Sequence, residues 1–120
     1  MSRRVMVVDD NPELRESLRD LLERNGLPTV VAATLAEAED LLKTGIDLVV
    51  LDYFIAGASG GKFFARLKAD PRTSRIPVLV CSGSADPVTM QDLVDRGAAG
   101  YFRKPFKTDA FIAKVRNLLR

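Results

Sequence analysis

Histidine is absent from this chain, and cysteine occurs once, at Cys81. The first absence excludes a Ser-His-Asp triad, a histidine-ligated zinc ion and any role as a phosphohistidine donor. The second excludes a disulfide framework and a thiolate metal cluster. Cys81 closes an apolar run with no partner cysteine, which suits a reducing, cytoplasmic setting. Long apolar runs are missing too: none approaches the roughly 18 residues that a membrane span requires, and no charged-then-apolar leader opens the chain. A soluble protein without membrane contact is the expectation. Nor does one sign of charge prevail. Lys and Arg number 18 against 16 Asp and Glu, a net charge of +2 that is too small and too dispersed to argue for direct nucleic-acid contact. What remains for chemistry is carboxylates, hydroxyls and amines.

At 120 residues, 47% hydrophobic and 28% charged, the chain suits one compact domain over residues 1–120. A chain of that size buries roughly two-thirds of its unfolded surface. Short β-branched runs alternate with longer segments of helical period, five times over, as in repeated βα units around a parallel sheet. The strands read as Arg3 to Val8, Thr29 to Ala32, Asp47 to Leu51, Ile76 to Cys81 and Ala99 to Phe102. Asn11 and Pro12 open a first helix with Leu14, Leu18, Leu21 and Leu22 on one stripe, and Gly26 ends it. Thr34 with Glu37 makes a capping-box pattern for a second helix that Gly45 closes. A Gly-rich loop from Ala56 to Gly61 leads to a third helix carrying Phe63, Phe64 and Leu67, and Asp70 to Arg75 reads as a solvated loop. Asp86 and Pro87 open a fourth helix whose ragged stripe predicts looser packing, and a fifth begins near Thr108.

Each run but the second ends on a polar residue: Asp9 and Asp10, Asp52, Ser82, and Lys104. A doubly wound five-stranded parallel sheet of order 2-1-3-4-5, the flavodoxin-like (βα)5 arrangement, makes those ends neighbours at the edge where open α/β sheets bind ligands. Three carboxylates would then face one ammonium. Two carboxylates about 4 Å apart repel by roughly 4 kcal/mol at an effective dielectric of 20. Such a deficit of positive charge either raises a carboxyl pKa or recruits a cation, and an all-oxygen site favours Mg²⁺ over zinc or copper. Magnesium in turn attracts phosphate.

The acidic pair Asp9 and Asp10, Asp52, Gly60 eight residues later, Ser82, Tyr101 and the Lys104-Pro105 dipeptide stand in this order along the chain. Through them the whole chain resembles the receiver domains of bacterial two-component response regulators. The resemblance implies that Asp52 accepts a phosphoryl group from a phosphohistidine of a sensor histidine kinase or a histidine phosphotransfer protein, or from a small phosphodonor. It implies that Asp10 and Asp52 bind Mg²⁺ directly, Asp9 through water, and Phe54 through its backbone carbonyl. Lys104 pairs with one phosphoryl oxygen and Ser82 hydrogen-bonds another. Ser82 and Tyr101 then act as the switch that changes the surface of the fourth helix, fifth strand and fifth helix for an output partner. On this reading the chain is a phosphoacceptor and not an enzyme beyond slow autophosphatase activity. Ala56 stands where the family usually has proline, Ser82 where threonine is commoner, and Gly83 where alanine is usual; none of these removes an essential group.

Three other readings fit these residues less well. A Mg²⁺-dependent phosphohydrolase with an aspartate nucleophile needs a second acid two residues after it, and that position is Phe54. A nucleotide-binding domain needs a glycine-rich phosphate loop where this chain has Asp9-Asp10-Asn11-Pro12. A phosphorylation-independent interaction module on the same fold has no use for a complete set of site residues.

Overall fold

Strands buried on both faces read as continuous apolar runs rather than alternating ones. Three segments of this kind form the centre of the sheet: β1 (Val5–Val8), β3 (Leu48–Asp52) and β4 (Val78–Ser82). The computed structural model describes residues 3–55, 58–83 and 86–120, with 54, 55, 58 and 59 described through their backbone. With β2 (Thr29–Ala32) and β5 (Gly100–Arg103) at the edges, the sheet is parallel throughout and ordered β2-β1-β3-β4-β5. The 2-1-3-4-5 doubly wound expectation is met. A short antiparallel ladder of Phe54–Ile55 with Ala58–Ser59 follows β3.

Helices cover both faces because the central strands offer apolar side chains on each. On one side α2 (Leu35–Leu42), α3 (Gly60–Ala69) and α4 (Pro87–Asp95) pack Ala38, Phe63, Phe64, Leu67, Met90 and Leu93 against Met6, Val8, Val49, Leu51 and Val80. On the other, α1 (Pro12–Arg24) and α5 (Thr108–Leu118) pack Leu18, Leu22, Phe111, Ile112 and Val115 against Val5, Val7, Leu48, Val50 and Leu79. Burying an aromatic such as Phe64 or Phe111 contributes about 2–3 kcal/mol each.

The caps form largely as the sequence predicts. The Asn11 side chain accepts from the N–H groups of Glu13 and Leu14 at 3.0 and 3.2 Å, and Asp86 accepts from Thr89 N–H at 2.8 Å. Thr34 accepts from Glu37 N–H at 3.1 Å, while the Glu37 carboxylate accepts from Ala33 N–H, one residue earlier than the standard box. Gly26 and Gly45 take φ of +78° and +92° just past α1 and α2, a region closed to most side chains.

Two expectations need correction. The helix after the Gly-rich loop begins at Gly60, so Gly60 and Gly61 belong to α3; Ala56 lies outside the described residues. The segment 70–75 is not simply solvated: Thr73 is buried, its hydroxyl donating to the Leu67 carbonyl at 2.7 Å, and Lys68 donates to the carbonyls of Ser74 and Ile76. Its polar composition serves to satisfy backbone groups at the end of α3. As for α4, its ragged stripe leaves Val88 79% exposed while Met90 and Leu93 are buried. Among the described residues no helix is long and apolar enough to cross a membrane.

Candidate functional site

The parallel register brings the ends of β1, β3, β4 and β5 together at one edge. Val8 lies opposite Leu51, Asp52 opposite Cys81, and Ser82 opposite Arg103, so the residues that follow these pairs converge. Carboxylate oxygens of Asp9, Asp10 and Asp52 all lie within 4.8 Å of one another. Asp9 is buried, Asp52 half-buried and Asp10 exposed, so the cluster opens toward solvent on its Asp10 side. Its donor set is all oxygen and all anionic, which fits a hard divalent cation such as Mg²⁺. These three residues could hold one.

Lys104 enters from the end of β5. Its backbone N–H donates to the Ser82 carbonyl at 2.8 Å, which carries its ammonium to 2.9 Å from Asp9 Oδ2 and 3.6 Å from Asp52 Oδ1. Burial pulls the Lys104 pKa down, but the Asp9 hydrogen bond and the charges of Asp52 and Asp9 outweigh it, and the pKa stands above the ordinary lysine value. Asp9 is tethered through its backbone as well as its side chain. Its Oδ1 accepts from Asn11 N–H at 2.9 Å, its own N–H donates to the Ala32 carbonyl at 3.1 Å, and its carbonyl accepts from Arg15 Nη1 at 3.1 Å.

The loop after Asp52 is held by backbone bonds: Tyr53 N–H donates to the Cys81 carbonyl at 2.9 Å, and Gly60 N–H donates to the Tyr53 carbonyl. Gly60 has to lack a side chain, since a Cβ there would stand 2.6 Å from the Asp52 carbonyl oxygen and 2.9 Å from that of Tyr53. Cys81 is buried beneath this loop, and burial pushes its thiol up to about 12, so it is no nucleophile.

Of the residues singled out from the sequence, Asp9, Asp10, Asp52 and Lys104 are brought into one cluster. Ser82 is buried at the end of β4, beside the Lys104 backbone. Tyr101 is placed apart, on β5 opposite Val80, and is 41% exposed. Phe54 stands two residues past Asp52 and is described through its backbone; its side chain lies outside the described residues. Arg15 was missed. The signal was present, because an arginine in the opening turns of a helix sits against the helix dipole and calls for another partner.

A family model described as "Response regulator receiver domain" matches residues 5–116. The chain is 31% identical over 121 residues to the phosphate regulon transcriptional regulatory protein PhoB of Escherichia coli, covering 100% of this chain and 53% of the relative. It is 34% identical over 121 residues to the DNA-binding response regulator MtrA of Mycolicibacterium smegmatis, covering 100% of this chain and 52% of that protein. The chain therefore spans about half the length of these curated relatives. Among solved structures, the signal receiver domain of a DNA-binding response regulator from Colwellia psychrerythraea superposes with a TM-score of 0.91 at 26% identity, over 98% of both chains.

Proposed function

This chain belongs to the response regulator receiver domains of two-component systems, and from that premise we propose that Asp52 is the residue that accepts the phosphoryl group. The observation that carries the assignment is the convergence of the Asp9, Asp10 and Asp52 carboxylates within 4.8 Å of one another, with the Lys104 ammonium 2.9 Å from one and 3.6 Å from another. Asp52 sits at the end of the central strand of the sheet, flanked by the other two acids on one side and by Ser82 on the other.

In the transfer, an Asp52 carboxylate oxygen attacks phosphorus in line with the leaving imidazole nitrogen of a phosphohistidine; the P–O bond forms as the P–N bond breaks. Catalysis of such a step is positioning plus neutralisation of the equatorial oxygens. Lys104 neutralises one oxygen, and the Ser82 hydroxyl donates to another. Asp10 and Asp52 would hold Mg²⁺ directly, Asp9 through water and Phe54 through its backbone carbonyl, and the bound cation would neutralise further phosphoryl charge. Both carboxylate oxygens of Asp9 already accept hydrogen bonds, from Asn11 and Lys104, which supports the outer role for Asp9.

Receiver domains are in general not enzymes; here we assign only slow hydrolysis of the aspartyl phosphate, because a phenyl group at Phe54 cannot orient the attacking water. Partners on this reading are a sensor histidine kinase or histidine phosphotransfer protein and an output partner of unassigned identity. Nucleic acid and membrane are not contacted directly by residues 1–120, which form one receiver domain acting in the cytoplasm.

Intact-mass measurement after incubation with acetyl phosphate tests the assignment. One phosphoryl group is expected in Mg²⁺, none in excess chelator and none in Asp52→Asn; adduct formation in Asp52→Asn would reject it. Followed over time, the same assay should show a shorter phosphoryl lifetime in Phe54→Asn, and an equal or longer one would reject the role given to the phenyl group.

A further inference from the structure

The site has a second cation besides Lys104. Arg15 lies in the opening turns of α1, where the helix dipole disfavours positive charge, and its side chain is half-buried. Arg19, four residues on and likewise half-buried, pairs with Glu16 and Glu23 at 3.9 and 3.5 Å along the helix. Arg15 makes no such pair among the described residues. Its guanidinium turns back past the start of the helix, and Nη1 donates to the Asp9 carbonyl at 3.1 Å.

That carbonyl belongs to the peptide plane joining Asp9 to Asp10. A peptide plane has two soft rotations, ψ of the residue before it and φ of the residue after it. Holding its oxygen therefore restrains ψ of Asp9 and the position of the Asp10 Cα, which confines the Asp10 carboxylate to what its own φ and χ rotations can reach. Asp9 does not need the help: its N–H and both carboxylate oxygens are tethered by Ala32, Asn11 and Lys104. Asp10 is exposed, at the solvent-facing side of the acidic cluster, and follows directly from the peptide that Arg15 holds.

We propose that Arg15 is a positioning residue for the acidic site, pinning the Asp9–Asp10 peptide so that the Asp10 carboxylate faces Asp52 in the geometry that receives a divalent cation. The proposal rests on the metal-binding reading above. It makes a prediction of opposite sign to simple electrostatics. A guanidinium near three carboxylates repels a divalent cation, so by charge alone its removal tightens binding; by positioning, its removal loosens it.

Calorimetric titration with Mg²⁺ separates the two. Arg15→Met should bind Mg²⁺ about tenfold more weakly than the unsubstituted chain, the low end of what partners outside the ligand set contribute. Its urea midpoint in chelator should stay close to that of the unsubstituted chain, and Arg15→Lys, which keeps the charge and a single donor, should recover part of the affinity. Equal or tighter binding by Arg15→Met overturns the proposal, as does a loss of affinity matched by a loss of stability in chelator. Absence of Mg²⁺ binding by the unsubstituted chain, or equal binding by Asp52→Asn, overturns the metal reading itself and the proposal with it, a result distinct from failure of the Arg15 variants alone.

Discussion

Asp9 and Asp10 are chemically identical neighbours in sequence and occupy opposite environments, one buried with both oxygens engaged and the other exposed. Lys104 is what makes the buried acid tolerable, because a buried charge needs a partner at hydrogen-bond distance. The pairing sets a pH dependence. Since the folded-state pKa of Lys104 is raised, the stability it contributes is present in full below the unfolded lysine value of about 10.4 and is lost as pH rises through the folded value. In chelator, the lead in urea stability of the unsubstituted chain over Lys104→Met should therefore narrow as pH rises from 9 to 11.5. A lead that widens or holds constant over that interval would contradict the pairing. Lys68 has the opposite shift: burial lowers its pKa while it donates to the carbonyls of Ser74 and Ile76, so its penalty eases as pH rises.

At the scale of elements, the site depends on how tightly α3 starts against the end of β3. Gly60 opens the helix, and its N–H caps the Tyr53 carbonyl from a distance that no side chain would allow. Gly60→Ala places a Cβ against two backbone carbonyls that cannot rotate away, so it should cost about 1–3 kcal/mol of unfolding free energy and displace Asp52. Gly83→Ala is the matched control. There a Cβ meets the Lys104 Cβ at 3.7 Å, an ordinary contact, and the change should stay within about 0.5 kcal/mol. Urea denaturation of both variants checks the contrast; equal costs would mean that the close approach at Gly60 is relieved by movement of the loop.

For the whole molecule, function requires that a change at the acidic edge reach a surface elsewhere. Two contiguous routes leave the site. Ser82 and the Lys104 backbone are hydrogen-bonded at the ends of β4 and β5, and Tyr101 stands exposed farther back along β5. On the other face, the rings of Phe102, Phe106 and Phe111 pack at centroid distances of 4.9 to 5.5 Å, joining the Lys104 loop to α5. If Tyr101 is the switch, Tyr101→Ala should accept phosphate from acetyl phosphate normally while its partner affinity no longer responds to phosphorylation. Partner binding by the variant that rises on phosphorylation as in the unsubstituted chain would remove Tyr101 from the switch.

The order of the elements, four of the five helix starts and the acidic cluster with Lys104 were legible from residue types alone, because each rests on local chemistry. Strands buried on both faces need uninterrupted apolar runs, helix starts need Asn11, Thr34 or Asp86, and parallel strands joined through helices bring their polar ends to one edge. The start of α3 at Gly60, the burial of Thr73 and the turn of Arg15 back toward Asp9 were not legible. Each depends on where a backbone carbonyl lies: Tyr53 for Gly60, Leu67 for Thr73 and Asp9 for Arg15. Carbonyls occur at every position and leave no mark on residue type. Which of them meets a given donor is settled when the chain closes on itself, and at this site those closures hold the backbone that carries the carboxylates.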